Sequence, residues 1–425
     1  MESHLDHFLH DHLCAEVVTR TVENKQDAVD YLTWTFYYRR LTQNPNYYNL
    51  TGTSHRHLSD HLSDLVEGVL ADLEASKCIA VEDDTDLVPL NLGMIASYYY
   101  ITYTSMELFS ASLTAKTKLK GVLEILCAAS EFASLPLRPG EEEAVRRLLA
   151  HSPLTLEGAR PSDPAAKANA LLQAHFNRRP VGGDLALDQR GVLLDASRLL
   201  QAIVDVISSS GWLGPALAAM ELSQMVTQAM WNKDPLLLQL PHISRDAAAR
   251  AAEAGVESVF DMLEAEDATR ATILTGLSER QVADVAHACN RYPNIEVSFD
   301  PPTGTVTSGD TVTVNVGLER EQEGELGHVV APRYPKAKEE AWWLVIGMPK
   351  GGALSAIKRV TLARKAKVKL EFAAPADAGK QDFALYLMCD SYMGCDQQFD
   401  FSLNIEAADD DADMDAGDDG AAPME

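Results

Sequence analysis

The sequence lacks any long apolar run, any Cys-x-x-Cys pair, any glycine loop suited to a triphosphate and any excess of positive charge. No stretch approaches the roughly 18 uninterrupted apolar residues of a membrane helix, so no membrane partner is expected. The opening residues, Met1 to Asp11, mix His and Asp with Leu and Phe; without a basic n-region and apolar h-region, they predict no secretory leader. Six scattered cysteines (Cys14, Cys78, Cys127, Cys289, Cys389 and Cys395) argue against a disulfide framework and a zinc knuckle. They read as buried free thiols in a reducing compartment. A nucleotide motor needs a Gly-rich loop ending in Gly-Lys-Ser/Thr and an acidic magnesium motif, and neither spacing occurs. The expectation is therefore no catalytic residue, no cofactor and no ATP turnover by this chain. Only 36 Lys and Arg stand against 63 Asp and Glu, a net charge of -27. Broad phosphate binding needs clustered cations, so any RNA contact must be local and weak.

What is present is enough for several compact units: 425 residues, 46% of them hydrophobic, with a mean hydropathy of -0.13. Helical spacing runs over His4–Arg20, Ala28–Leu41 and His57–Lys77, followed by two short strand-like segments around an acidic turn, Glu82–Thr85. That order reads as a winged helix over residues 1–92. Asn91–Thr102, with Tyr98, Tyr99 and Tyr100 consecutive, predicts a buried connecting helix. Further helical segments near 118–133, 141–151, 164–177, 184–210 and 214–231 predict a helical bundle over 93–240. Three shorter helices, broken at Gly255 and at Thr275–Ser278, form a helix-loop-helix unit over 241–292. After Pro293 the period changes to two, and some seven strands suggest an immunoglobulin- or fibronectin-like β-sandwich over 293–406. Residues 407–425 hold seven Asp and one Glu and read as a disordered acidic tail. The fold class is thus multi-domain, mainly α followed by an all-β sandwich.

Residues that could carry chemistry have plainer explanations. His4, His7, His10 and His12 share helix faces, yet no Cys or carboxylate set completes a metal site. His57 and His61 have metalloprotease spacing, but Leu58 stands where the general base would be. Ser208, Ser209 and Ser210 close a helix before Gly211, where hydroxyls cap. Gly347–Gly352 lies between strands and reads as a hairpin turn. Two surfaces are candidates for binding a partner. Lys365, Lys367 and Lys369 alternate with apolar residues and make a lysine stripe, suited either to guarding an edge strand or to an acidic partner or RNA phosphate. Trp342 and Trp343 are adjacent on a strand, so one faces away from the core and calls for a neighbouring domain or partner.

Several segments together resemble a known family: Gln43–Tyr48, Leu92–Ile101, Ser130–Phe132 with Leu137-Arg138, Arg291–Asn294, Trp342-Trp343 and Ser391–Asp396. They are similar to the C-terminal accessory region, a winged helix plus a Sec63-type unit, of the large spliceosomal DExH-box RNA helicases that unwind paired small nuclear RNAs. The resemblance implies winged helix, bundle, helix-loop-helix and immunoglobulin-like domains in that order. It implies a nuclear, motor-less fragment of the C-terminal cassette that docks spliceosomal proteins and the motor domains of its parent helicase. It also implies a ratchet-like helix over Ser197–Ser209, whose Arg198 and Gln201 are candidate RNA contacts. A structural helix with one solvated edge accounts for the same residues. The translocation protein that shares the Sec63-type unit would bring membrane spans and a His-Pro-Asp J-domain motif, and neither is found here.

Overall fold

The computed structural model describes every residue except 155, 157, 159, 303, 322–326 and 408–425. The acidic tail expected from residue 407 therefore lies, from 408 on, outside the described residues. The chain divides into two compact units. The first comprises Met1–Asn290 with His328–Glu339 and Asp390–Gly394, and the second Arg291–Gly327, Glu340–Cys389 and Cys395–Glu425.

The first unit begins with α1 (Leu9–Val18), α2 (Lys25–Thr33), α3 (Phe36–Gln43) and α4 (His55–Ala75), then β1 (Ile79–Glu82) and β2 (Asp86–Pro89). The single helix expected over 28–41 is two. Thr35 is extended, and its hydroxyl accepts from Tyr38 N and donates to Leu32 O at 2.6 Å, so a β-branched residue with a capping side chain ends one helix and starts the next. Along α4, Leu58, Leu62, Val66, Val69, Leu70 and Leu73 form the buried stripe, and Ser54 caps its start. The β1–β2 hairpin turns through three residues, Asp83, Asp84 and Thr85; Asp83 and Asp84 have positive φ, and Thr85 N donates to Glu82 O at 3.1 Å. Main-chain bonds Lys25 N to Thr85 O and Leu87 N to Glu23 O fasten this wing.

Then come α5 (Asn91–Tyr99), α6 (Tyr103–Ser112), α7 (Leu119–Cys127), α8 (Glu141–Leu149), α9 (Pro164–Phe176), α10 (Asp184–Ser209) and α11 (Leu213–Gln228). The α5 helix is shorter and more open than expected. It stops with Tyr100 in the left-handed region, and Tyr98 and Tyr100 are 78% and 86% exposed. Successive helical residues diverge by about 100°, so three tyrosines in a row cannot all turn inward. The α6 helix, with few apolar residues, had no clear periodic signal; Thr102 caps it from Ser105 N. The centre of the bundle is α9, buried on every side from Ala166 to Phe176, including Lys167, Asn169, Gln173 and His175. Four short helices follow where three were expected: α12 (Arg245–Glu253), α13 (Val259–Glu264), α14 (Asp267–Ile273) and α15 (Glu279–Arg291). The additional break falls at Ala265-Glu266, both extended.

Among the described residues the second unit has eight strands: β3 (Ile295–Asp300), β4 (Thr305–Thr307), β5 (Thr311–Arg320), β6 (Trp342–Met348), β7 (Ala353–Val360), β8 (Lys365–Ala373), β9 (Gly379–Cys389) and β10 (Gln397–Glu406). They form a five-stranded sheet, β4-β10-β9-β6-β7, and a three-stranded sheet, β3-β5-β8. All pairings are antiparallel except β4 with β10. Inward residues alternate along β5 (Val312, Val314, Val316, Leu318) and β8 (Val368, Leu370, Phe372). Phe383 bridges the sheets, 5.3 Å from Phe372 and 5.5 Å from Phe401 between ring centres. Of the expected turn over Gly347–Gly352, Gly347 and Met348 end β6 and residues 349–352 make the β6–β7 turn, closed by Gly352 N to Met348 O at 2.8 Å.

Candidate functional site

The helix expected to track a nucleic-acid strand, α10, buries Val192, Leu193, Ala196, Leu199, Leu200, Ile203 and Val206 and leaves a narrow polar edge. That edge is occupied by the bundle itself. Arg198 donates to Tyr99 O at 3.2 Å and to Tyr100 O, and pairs with Asp195 at 2.9 Å. Asp205 accepts from Tyr99 Oη at 2.8 Å. Arg198 thus satisfies carbonyls at the open C-terminal end of α5, as cations near a helix C-terminus do. Gln201 is half-buried on the same edge. Ser208, Ser209 and Ser210 each donate to the carbonyl four residues earlier. The side chains that sequence reasoning missed here are Tyr98 and Tyr100, which stand in solvent beside the Arg198 anchor. The unbroken tyrosine run was the available signal.

On the outer face of β3-β5-β8, the register sets Lys365 beside Glu319, Lys367 beside Gly317 and Lys369 beside Asn315. Lys365 reaches Glu319 at 2.6 Å and Lys369 reaches Glu371 at 2.5 Å. The Lys369 hydrogen bond and charge hold the Glu371 carboxyl below its usual range. The stripe is therefore exposed but two-thirds compensated, and Lys367 is its member with no ion pair among the described residues. Gly317 leaves a dip there: a Cβ would come within 2.6 Å of Ser298 Oγ.

Trp342 and Trp343 both lie buried, at 1% and 2% exposure, so neither presents an open face. Trp342 Nε1 donates to Glu340 at 3.1 Å, and the Arg359 guanidinium lies 4.7 Å from the Trp343 ring centre. The cross-strand partner of Trp343 is Arg359 itself, so a neighbouring strand covers the indole that sequence parity turned outward.

The Ser391–Asp396 segment has a structural use. Asp390–Gly394 belongs to the helical unit, where polar residues of α11 receive its main chain. Ser223 donates to Asp390 O at 3.1 Å and Gln228 to Ser391 O at 2.8 Å, while Gln239 exchanges two bonds with Met393. Lys338 adds a bond to Asp390 O at 3.0 Å. The buried side chains of Ser223, Gln228 and Gln239 are thus the fasteners of a loop. Among the described residues, no group of three or more His, Cys, Asp or Glu is placed to hold a metal. His10 pairs with Asp72 at 2.9 Å, and His61 bonds Tyr37 Oη at 3.1 Å.

Residues 89–402 match the Sec63 Brl domain, and residues 2–83 match a winged helix-turn-helix domain. The chain belongs to the Sec63 Brl domain family. Within the Sec63 Brl relatives it is 59% identical over 414 residues to the DExH-box ATP-dependent RNA helicase DExH12 of Arabidopsis thaliana, covering 96% of this chain and 19% of that protein. It is 56% identical over 416 residues to the U5 small nuclear ribonucleoprotein 200 kDa helicase of Homo sapiens, covering 98% and 19%. A Dictyostelium discoideum activating signal cointegrator 1 complex subunit 3-like protein is 48% identical over 414 residues, covering 95% and 18%. The chain spans about one fifth of these relatives' length. It corresponds to the winged-helix and Sec63 Brl portion of the U5 helicase type, as its motif resemblance predicted.

Proposed function

We propose that this chain is a motor-less, C-terminal cassette portion of a spliceosomal RNA helicase that acts in the nucleus as a protein-docking and regulatory module for pre-mRNA splicing. The observation that carries this reading is the 56% identity to the U5 small nuclear ribonucleoprotein helicase over nearly the whole chain. Its partners would be spliceosomal proteins and the motor domains of a parent helicase. The domain bounds 1–92, 93–240, 241–292 and 293–406 remain part of the reading, and the β3-β5-β8 and β4-β10-β9-β6-β7 sheets favour an immunoglobulin-like last domain. Protein docking is favoured over RNA guiding because Arg198 spends its donors on α5 carbonyls beside Asp195 and Asp205, within a chain of net charge -27.

The deciding experiment is affinity capture from nuclear extract on the isolated chain with cross-link mapping, alongside an ATPase assay with and without RNA. Recovery of splicing proteins and no RNA-stimulated turnover are expected; failure to capture any, or turnover of ATP, defeats the reading. One observation favours a second reading, an RNA-guiding module: exposed Tyr98 and Tyr100 next to Arg198 offer rings on which bases stack. Micromolar single-stranded RNA binding lost in Tyr98→Ala/Tyr100→Ala would support it.

A further inference from the structure

A cavity of about 550 Å³ in the helical unit is lined by Arg178, Arg333, His242, Gln239, Pro332 and Ser244, among others. We propose that it is an oxyanion site that takes a phosphomonoester carried by a partner polypeptide. The proposal rests on the docking reading only for the polypeptide that carries the phosphate.

Arg178, two residues beyond α9, is half-buried and rigidly held. Its Nε donates to Ala229 O at 2.8 Å and its Nη2 to Leu238 O at 2.7 Å and Gln228 O at 3.3 Å. Those acceptors are carbonyls, which orient the guanidinium without neutralising it, and Nη1 has no acceptor among the described residues. Arg333 is exposed and makes no ion pair or hydrogen bond among the described residues. The carboxylates nearby are already committed. Asp234 pairs with Arg245 at 3.1 Å and accepts from Trp231 N at 3.0 Å, and Asp284 holds His242 at 2.9 Å. Two cations therefore line one cavity with neither bonded to a carboxylate among the described residues, in a molecule with a large acidic excess. Burial, then repulsion from Arg333, lowers Arg178 to about 10, against a smaller opposing attraction from Asp234.

A partly buried guanidinium is ordinarily paired, and a compact dianion supplies what is missing. A phosphomonoester brings a charge of about -1.5 to -2 and three acceptor oxygens to one point, matched to two donor forks. An RNA backbone spreads its charge and needs a row of cations, which a chain of net charge -27 disfavours.

The test is calorimetry on the full chain with O-phosphoserine, orthophosphate, serine and an oligouridylate, in parallel with arginine side-chain NMR. Saturable binding of O-phosphoserine and orthophosphate, inert serine, and perturbation of Arg178 and Arg333 resonances are expected. Arg333→Ala should weaken binding about tenfold, the scale of one charge-assisted bond, with Arg333→Lys between it and wild type. The melting temperature of Arg333→Ala should not change, since that exposed side chain bonds to nothing among the described residues. Absence of saturable heat up to roughly 10 mM, too weak to hold a partner, or equal binding by wild type and Arg333→Ala, overturns the proposal. Oligouridylate bound more than about tenfold tighter than orthophosphate, with steep salt dependence, replaces it with an RNA contact. Orthophosphate needs no partner, so its failure leaves the capture experiment standing, and a failed capture leaves the pocket standing.

Discussion

Replacing Lys167 by Met tests how the bundle tolerates charge at its centre. Lys167 is fully buried on α9, and its Nζ donates to Asp188 at 2.6 Å, Glu141 at 2.7 Å and Pro136 O at 2.6 Å. Asp188 and Glu141 are themselves only 8% and 15% exposed, and Arg138 bridges both at 2.6 and 2.8 Å. Methionine fills the volume but removes three charge-assisted bonds and leaves two nearly buried carboxylates sharing one cation. Breaking a buried pair by removing one partner costs about 3–5 kcal/mol, and because Arg138 remains, the low end, about 3 kcal/mol, is expected. The pH dependence supplies a second readout. Arg138, against burial, and then Lys167 hold the Asp188 carboxyl below its usual range. Burial opposes the same effect at Glu141, but hydrogen bonds from Lys167 and Arg138 prevail. A depressed carboxylate contributes stability above its unfolded pKa of about 4 and loses it as pH falls through the folded value. Without Lys167 that depression shrinks, so the deficit of Lys167→Met should hold steady from pH 7 to about pH 4 and narrow as pH falls further, through the depressed folded values. Urea unfolding followed by circular dichroism at several pH values measures it. A deficit under about 1 kcal/mol at pH 7, or one that widens on acidification, refutes the reasoning.

Gly93→Ala should unfold the winged-helix region at markedly lower temperature, because its Cβ would sit 2.2 Å from Cys78 O, a main-chain atom that cannot swing aside. Gly68→Ala, in the middle of α4 with nothing within 4 Å, should instead raise the melting temperature slightly, by about 0.5–1 kcal/mol of stability. His175 is buried and donates to Val226 O at 2.9 Å; burial, outweighing that bond, lowers its pKa to about 4. Its contribution should be whole above pH 6.5 and fade as pH falls toward 4, by up to about 3 kcal/mol. His175→Gln should flatten that slope in a pH series of urea midpoints. Trp343→Ala should cost about 3–5 kcal/mol in chemical denaturation, whereas Trp34→Ala, at an 89% exposed position, should stay within about 0.5 kcal/mol.

Local periodicity made much of the architecture readable in advance. The stripe Leu58, Leu62, Val66, Val69 and Leu73 announces α4, and the alternation along Val312, Val314 and Val316 announces β5, because a helix and a strand each impose a fixed repeat on whichever face is buried. Short elements escaped: α6 carries too few apolar residues for a repeat, and the α2–α3 break depends on one threonine hydroxyl choosing a cap over a helix.

By itself, the sequence determined the order of helical and strand segments, the acidic balance and, through its motifs, the family. Tertiary structure alone decided what each polar or aromatic side chain is for. Arg198 became a fastener of α5 carbonyls, Trp343 was covered by Arg359 from the next strand, Tyr98 and Tyr100 were left in solvent, and Arg178 and Arg333 were brought to one cavity. The reason is physical: a repeat records which way a side chain points relative to its own element, whereas exposure and pairing depend on neighbours far away along the chain.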